Sequence, residues 1–489
     1  MRSIFGAAVA GVALSAAALG APPVQAQPAN QAARTLPVPL TLDLPGKVFG
    51  YTYGSGSETE TYLELTASLR ATGGVFEVRG KRTSYDKPVA VTWKAPTGEV
   101  KLPAWTLKHW GGLNKFLSLQ ITNAKGRVVA TDEVTTCLNG FGQRTKPEAP
   151  ARSPYPQYGC PTNPFTRGTV MGIQDGWAST VGIEPTRRLR LAPGRYTLKA
   201  EISPRYRSLL GLPASSSTDT TKLVVQNESD ERRSRAHTPA KLPQAAHKAP
   251  SGAQLKNVDG PRPDLRSLPA WGMQVSENGN YLEFAATVWN AGTSPLVVDG
   301  FRRKNEPLMD AYQYFFDKDL NQVGYQKIGT MEWDARPSHQ HWHFEDFARY
   351  RLLTADLKQA RRSQKEAFCL ANTDAVDYTV SGADWNPDGT DLETACGELD
   401  SLSVREVLSS GSGDTYSQIR AGQSFNLRGL ANGTYYISVE ANPFNRLVEL
   451  DATNNVALRK VVIGGKTGAR TVKSFPVGLV DDSGYSIDY

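Results

Sequence analysis

Hydrophobic and polar positions alternate with a period of two over much of the chain. In "YLEFAATVWNAG", Leu282, Phe284, Ala286 and Val288 fall on one face of a strand, which then turns at Asn290-Ala291-Gly292. "RYTLKAEIS" from Arg195 and "TYYISVEAN" from Thr434 are β-rich runs, each entered through a glycine, Gly194 and Gly433. Long stretches with a 3.6-residue period are scarce. The best helical candidate is short, "LKQARRSQKEAF" over Leu357–Phe368. Many short strands separated by Gly, Pro and Asn turns predict an all-β protein of sandwich type with few short helices.

The pattern occurs twice. "YLELTASL" from Tyr62 matches "YLEFAATV" from Tyr281, "CLNG" from Cys137 matches "CLAN" from Cys369, and "LAPGRYTLKAEISP" from Leu191 matches "LANGTYYISVEANP" from Leu430. Three anchors in the same order predict two β-sandwich-like domains, over 37–226 and 255–465. Between them, 227–254 is charged, rich in Ala and Pro and nearly free of large apolar residues, the composition of a flexible linker. His237 and His247 lie in it as solvated side chains. A tail is expected from 466 to 489. Four cysteines allow three pairings. The duplication selects one, Cys137–Cys160 and Cys369–Cys396, with one bridge in each half.

Composition adds the compartment. Arg2, the Ala-rich apolar run Ile4–Gly20 and "PVQAQ" read as a secretory signal peptide, residues 1–26, cleaved after Ala26. The mature protein is then secreted, in surroundings where disulfides persist, and no other segment is apolar enough to span a membrane. A formal net charge of +7 over 489 residues is mild, and no basic cluster interleaved with aromatics is present, so nucleic acid is not an expected partner.

The chemistry concentrates in "PSHQHWHFEDF". The chain holds six histidines, and His339, His341 and His343 sit within five residues of one another. On a strand, positions i, i+2 and i+4 share a face, so three imidazoles converge there. Such a site suits copper above the other divalent first-row ions, with zinc and an open water position as the rival. The motif alone does not choose the metal or the reaction.

The wider stretch "MEWDARPSHQHWHFEDFARYRLL" resembles the copper-binding segment of lysyl oxidases. "QKEAFCLANTD" and "GDTYSQIRAGQSFNLRGLANGTYYISVEANPFNRLVELDATNN" follow in the family's order, and the resemblance covers roughly Gln254 to Ile463. It implies copper on His339, His341 and His343, and a lysine tyrosylquinone cofactor made by cross-linking Lys365 to Tyr416. It implies calcium on Asp264, Leu265, Glu449, Asp451, Asn454 and Asn455, a set rich in the oxygen donors that calcium takes. The implied activity is oxidation of primary amines, peptidyl lysine included, to aldehydes, with molecular oxygen as co-substrate and hydrogen peroxide and ammonia released. No side chain of the standard set offers the electrophilic carbonyl this needs, hence the cofactor. Glu345, Asp346 and Asp414 lie near the motifs, and the sequence leaves the proton-abstracting base open among them. Animal members carry a histidine and a cysteine just before the triad where this chain reads "DARPS", and they hold more disulfides.

The first half lacks these groups. Aligned on Cys137, Glu133 stands where the second half has Lys365. Aligned on Tyr196, Trp177 stands where it has Tyr416, and His109 is the half's one histidine. It reads as a non-catalytic copy with a structural or substrate-binding role. The readings that compete with an oxidase are a secreted copper-binding protein without the quinone, a zinc hydrolase and an adhesion module. Oligomeric state is left open.

Overall fold

A computed structural model of the chain describes residues 38–54, 59–157, 159–227, 249–250, 260–336, 340–363, 365, 367–417 and 422–485. The predicted leader and most of the linker, 228–248 and 251–254, lie outside the described residues, as does His339. The described chain is almost entirely β, as the alternation predicted. Its helices are Pro204–Leu210, Ala214–Ser217 and a single 3-10 turn, Ala104–Thr106.

Each half repeats one arrangement of strands. In the first, Leu40–Asp43, Thr66–Ala71, Trp177–Gly182 and Phe141–Arg144 lie side by side. In the second, Leu265–Ser267, Tyr281–Asn290, Ser412–Tyr416 and Asp374–Ala375 take the same order. The sheet Gly168–Ile173, Phe76–Lys81, Ala90–Ala95, Gly98–Leu102 is matched by Ser403–Leu408, Leu296–Phe301, Leu308–Phe316, Gln322–Asp334, which the second half extends with His341–Phe344. The third sheets share the run Val128–Thr136, Leu113–Asn123, Gly194–Ile202, Thr218–Asn227 against Gln359–Arg362, Ala348–Thr354, Gly433–Ala441, Val456–Lys466. The disulfides pair as the repeat predicts, Cys137–Cys160 and Cys369–Cys396.

Two expectations change. The helix predicted within Leu357–Phe368 is a turn at Leu357, φ 62°, followed by the edge strand Gln359–Arg362 paired with Arg351–Leu353. Sheet pairing overrides the helix-favouring composition. Ala360 packs on the core, and the Arg361 guanidinium donates to the carbonyls of Asn426 and Arg428. The segment after Lys466 is no loose tail at its start. Ala469–Ser474 closes a hairpin with Val456–Lys466, and the Leu479 N–H then donates 2.8 Å to the Tyr85 carbonyl of the first half.

Each half has its own apolar core, and a third core joins them. Leu69, Phe116, Leu198 and Leu223 are fully buried in the first, and Phe284, Phe425, Ile437 and Val439 in the second. Phe165 of the first half is inserted among Leu268, Trp271, Ala285, Trp289, Val376 and Val480 of the second. The described residues from Val38 onward therefore form one compact unit.

Candidate active site

The strand His341–Phe344 runs antiparallel to Gln322–Asp334, with Asp334 opposite His341 and Glu332 opposite His343. The strand begins at His341, because Gln340 is turned to φ 31°. His341 and His343 share a face, as alternation requires, with ring centres 4.7 Å apart and planes at 67°. His343 is fully buried and His341 partly so. Trp342 faces the other way. Its backbone N–H donates 3.0 Å to the Cys396 carbonyl and its indole N–H 3.0 Å to the Glu398 carbonyl, which pins the strand to the Cys369–Cys396 bridge. A carboxylate oxygen of Asp334 lies 3.4 Å from His343 Nδ1, a contact of the kind that orients an imidazole. Burial pushes the Asp334 carboxyl up, but hydrogen bonds and charge from Arg336 outweigh it and hold the group below the usual range. Two imidazoles one strand repeat apart, one backed by a carboxylate, suit a transition metal. Among the described residues no three His, Cys, Asp or Glu side chains gather closely enough to share one.

The lysine and tyrosine implied by the resemblance are 51 positions apart in sequence and adjacent in space. Lys365 is 2% exposed, and its Nζ stands 4.3 Å from the centre of the Tyr416 ring and 4.8 Å from that of Phe368. Nζ also donates 3.3 Å to the Ala367 carbonyl. Tyr416 ends the strand Ser412–Tyr416, its ring edge-on to Phe368 at 4.8 Å and its hydroxyl donating 3.0 Å to the Cys369 carbonyl. Phe344 and Phe368 exchange backbone hydrogen bonds of 2.8 and 3.0 Å. The residue after His343 is thus paired to a residue three beyond Lys365, which draws the histidine strand and the lysine–tyrosine pair into one region.

Buried carboxyls surround the pair. Asp414 precedes Tyr416 by two residues and shares its face of the strand. Burial pushes its carboxyl well above the usual range while the Lys365 charge pulls it back. Glu406 is fully buried, and its carboxyl, pushed up by burial, accepts the Leu370 N–H at 3.0 Å. Burial, then the charges of Asp414 and Glu406, push the Tyr416 hydroxyl up as well. Of the three base candidates, Asp414 is the one whose charge acts on both Lys365 and Tyr416. Glu345 accepts from the Thr330 hydroxyl, and Asp346 pairs with Arg446 at 2.7 Å. Glu406 went unnoticed in the sequence because its strand is buried on both faces, which removes the alternation that would have marked a polar residue as misplaced.

The oxygen-rich set gathers too. Asn454 Nδ2 donates 3.1 Å to Asp264 and 3.1 Å to Asp451, and Asn455 Nδ2 donates 2.8 Å to Glu449. The Leu265 N–H donates 2.9 Å to the same Glu449. The Oδ1 atoms of Asn454 and Asn455 are buried without a hydrogen-bond partner. The two unsatisfied amide oxygens beside these carboxylates are donors of the kind calcium takes, but among the described residues no three of the carboxylates stand close enough to share one ion. Arg266, 2.7 Å from Asp264, supplies positive charge at one edge.

Strand register corrects one alignment. Tyr416 lies opposite Ala286, whose repeat counterpart is Ala67, and Ala67 faces Val181. The first-half position equivalent to Tyr416 is therefore Val181, not Trp177, which pairs with Arg144. Glu133, aligned with Lys365, forms an exposed ion pair with Lys115 at 2.8 Å. By either alignment the first half has no counterpart of the lysine–tyrosine pair.

An all-β protein with a histidine strand beside a lysine amine packed on a tyrosine ring is the class these observations define. The lysyl oxidase family model matches residues 320–471. Lysyl oxidase homolog 4 of Mus musculus is 28% identical over 131 residues, 27% of this chain and 15% of that protein. Protein-lysine 6-oxidase of Homo sapiens is 30% identical over 126 residues, 25% of this chain and 26% of the relative. The Sus scrofa protein of that name is 29% identical over 126 residues, 25% of this chain and 44% of its own length. The chain thus matches less than half the length of each of these relatives. By these matches residues 320–471 are similar to the lysyl oxidase family.

Proposed function

We propose that the chain is a secreted, copper- and quinone-dependent amine oxidase that converts a primary amine, oxygen and water to an aldehyde, ammonia and hydrogen peroxide. The observation that carries this reading is the Lys365 Nζ at 4.3 Å from the Tyr416 ring centre, the juxtaposition a cross-link between the two side chains needs. His341 and His343 would hold the copper together with His339, which lies outside the described residues. A quinone made from Lys365 and Tyr416 supplies, when formed, a carbonyl for the amine to attack and a sink for two electrons. The chain's own residues then orient and move protons. Phe368 and the Cys369 carbonyl fix the Tyr416 ring edge and hydroxyl. Asp414 Oδ2, buried without a hydrogen-bond partner beside Lys365, is the atom that takes the α-proton of the substrate, and burial makes it a stronger base than an exposed carboxylate. Asp264, Glu449, Asp451, Asn454 and Asn455 would bind calcium away from the reacting atoms. Secretion is supported by the two disulfides. Substrates are primary amines, with peptidyl lysine included on the similarity to the protein-lysine 6-oxidases.

The test is peroxide release from copper-loaded mature protein with a panel of primary amines, beside Lys365→Ala and Tyr416→Phe. Activity in the parent and its loss in both variants is the expected result. A copper-loaded parent that shows neither peroxide release nor quinone absorbance would reduce the protein to a metal-binding module.

A further inference from the structure

The loop that follows Cys160 enters the second half and reaches the back of the strand that carries Asp414 and Tyr416. It is anchored by the Cys137–Cys160 bridge and runs through Pro161, Asn163, Pro164, Phe165 and Thr166, all buried. Phe165 fills the shared core, under the Arg459 guanidinium at 5.4 Å. The N–H groups of Arg167 and Gly168 donate to the Val376 carbonyl at 2.6 and 3.1 Å, and the Tyr378 N–H returns 3.0 Å to the Gly168 carbonyl. The loop therefore docks alongside Asp374–Ala375, the strand next to Ser412–Tyr416.

Asn163 is the polar tip of this wedge and is fully buried. Its Oδ1 accepts the Phe165 N–H at 2.9 Å, which fixes the loop. Its Nδ2 donates 2.9 Å to Thr287 Oγ1 and 3.3 Å to Asp374 Oδ2. Both partners hold Thr415. The Thr287 and Thr415 hydroxyls are 2.7 Å apart, and the Thr415 hydroxyl also donates to Asp374. Thr415 lies between Asp414 and Tyr416, so by strand alternation its side chain is on the opposite face from theirs. The first half thus grips the back of the strand whose front carries the reacting groups. Burial pushes the Asp374 carboxyl up, while hydrogen bonds from Thr415, Asn163 and Thr162 pull it back, so removing one donor disturbs a charge that acts on Asp414.

We propose that the first half of the chain is a positioning element for the site, and that Asn163 is its positioning residue, acting through Thr287, Asp374 and Thr415 to hold Tyr416 in register with Lys365. This rests on the oxidase reading for its catalytic consequence, but its structural content is independent of that reading.

The experiment uses the full chain. Asn163→Ala and Thr415→Val, which remove the grip from either side, are compared with the parent and with Arg152→Ala. Arg152 donates to the Asn386 and Asp388 carbonyls across the halves without touching the Tyr416 strand. Three quantities are read: amide exchange of Ser412–Tyr416, the yield of the Lys365–Tyr416 cross-link by peptide mass spectrometry after copper loading, and kcat and KM separately. We expect Asn163→Ala and Thr415→Val to speed exchange in that strand at least tenfold. We also expect a severalfold fall in cross-link yield and kcat, with KM and bound copper unchanged, and parental values in Arg152→Ala. If Asn163→Ala does not fold, Thr415→Val, which leaves the loop intact, decides alone. Exchange, cross-link and kcat no different from Arg152→Ala would overturn the proposal. A parent without cross-link or peroxide release refutes the oxidase reading instead, and the exchange comparison still decides whether Asn163 positions the strand.

Discussion

Glu406→Gln makes the buried carboxyls of the site measurable. Glu406 lies on Ser403–Leu408 opposite Val298, has no exposed surface, and uses one oxygen to accept the Leu370 N–H at 3.0 Å while the other has no hydrogen-bond partner. Burial raises its folded-state pKa well above the ordinary value. The unfolded chain therefore releases this proton first. Stability is highest below the unfolded pKa and falls as pH rises from there toward the folded value, the reverse of a salt-bridged carboxylate. The slope is about 1.4 kcal/mol per pH unit, so between an unfolded pKa of about 4.3 and pH 7 the ceiling is roughly 4 kcal/mol. Glutamine keeps the acceptor for Leu370, fills the same volume and cannot ionise. Urea unfolding of metal-free parent and variant, followed by tryptophan fluorescence from pH 4.5 to 8, isolates the term as a difference curve. Asp374 and Asp414, also raised by burial, tilt the parent's own curve the same way and cancel in the difference to the extent that they do not couple to Glu406. The two proteins should be close at the acid end, with the variant gaining steadily as pH rises. A difference flat to within about 0.5 kcal/mol over that range would mean Glu406 is not held neutral by burial, and the electrostatic description of the site would be wrong.

Phe165→Ala removes the apolar knob between the halves and should cost about 3–5 kcal/mol in one cooperative transition; two separated transitions with only one displaced would contradict a shared core. Gly168→Ala should be destabilising in the same direction, because a Cβ there would run into the Asp377 carboxylate and stand 2.7 Å from Thr379 Oγ1; unchanged stability would mean the Gly168–Asp377 docking is not tight. Calcium should stabilise the parent against heat, by about 2.7 kcal/mol at a hundredfold excess over its Kd, and should not stabilise Glu449→Gln or Asp451→Asn; equal shifts in parent and variants would move the ion elsewhere.

Strand character and the repeat were legible because alternation and glycine turns are local signals, and the repeat carried with it the cysteine pairing; the strand order came only from the structure. Lys365 and Tyr416 were found by family resemblance. No local pattern joins a loop residue and a strand residue that meet only through tertiary contacts, Tyr416 packing on Phe368 and bonding to the Cys369 carbonyl. The Leu357–Phe368 helix failed because an edge strand with solvent on one side tolerates the same Lys, Arg, Gln and Ala that a helix favours. Trp177 was matched to Tyr416 by counting back from a shared glycine–tyrosine turn. The connection from the strand to that turn is four residues longer in the second half, and register is set by cross-strand partners rather than by loop length. Asn163 had no sequence signal at all. An asparagine between two prolines in a loop reads as a turn, and its value lies in partners 124 and 211 residues away.

The two disulfides divide the support of one site between them. In the second half the Cys369 carbonyl accepts the Tyr416 hydroxyl and the Cys396 carbonyl accepts the Trp342 N–H, so that bridge ties the tyrosine to the histidine strand from the front. In the first half the bridge fixes the start of the loop that ends on Asn163 and grips the same strand from behind. The duplicated scaffold places Val181 where Tyr416 stands and Ser179 where Asp414 stands, so the first copy offers neither phenol ring nor carboxylate at the equivalent positions. What it keeps is its strand order and its cysteine bridge, and the loop that starts at that bridge packs against the partner copy. A scaffold can host chemistry in one copy and geometry in another because function lies in the side chains grafted on it, not in the strand order.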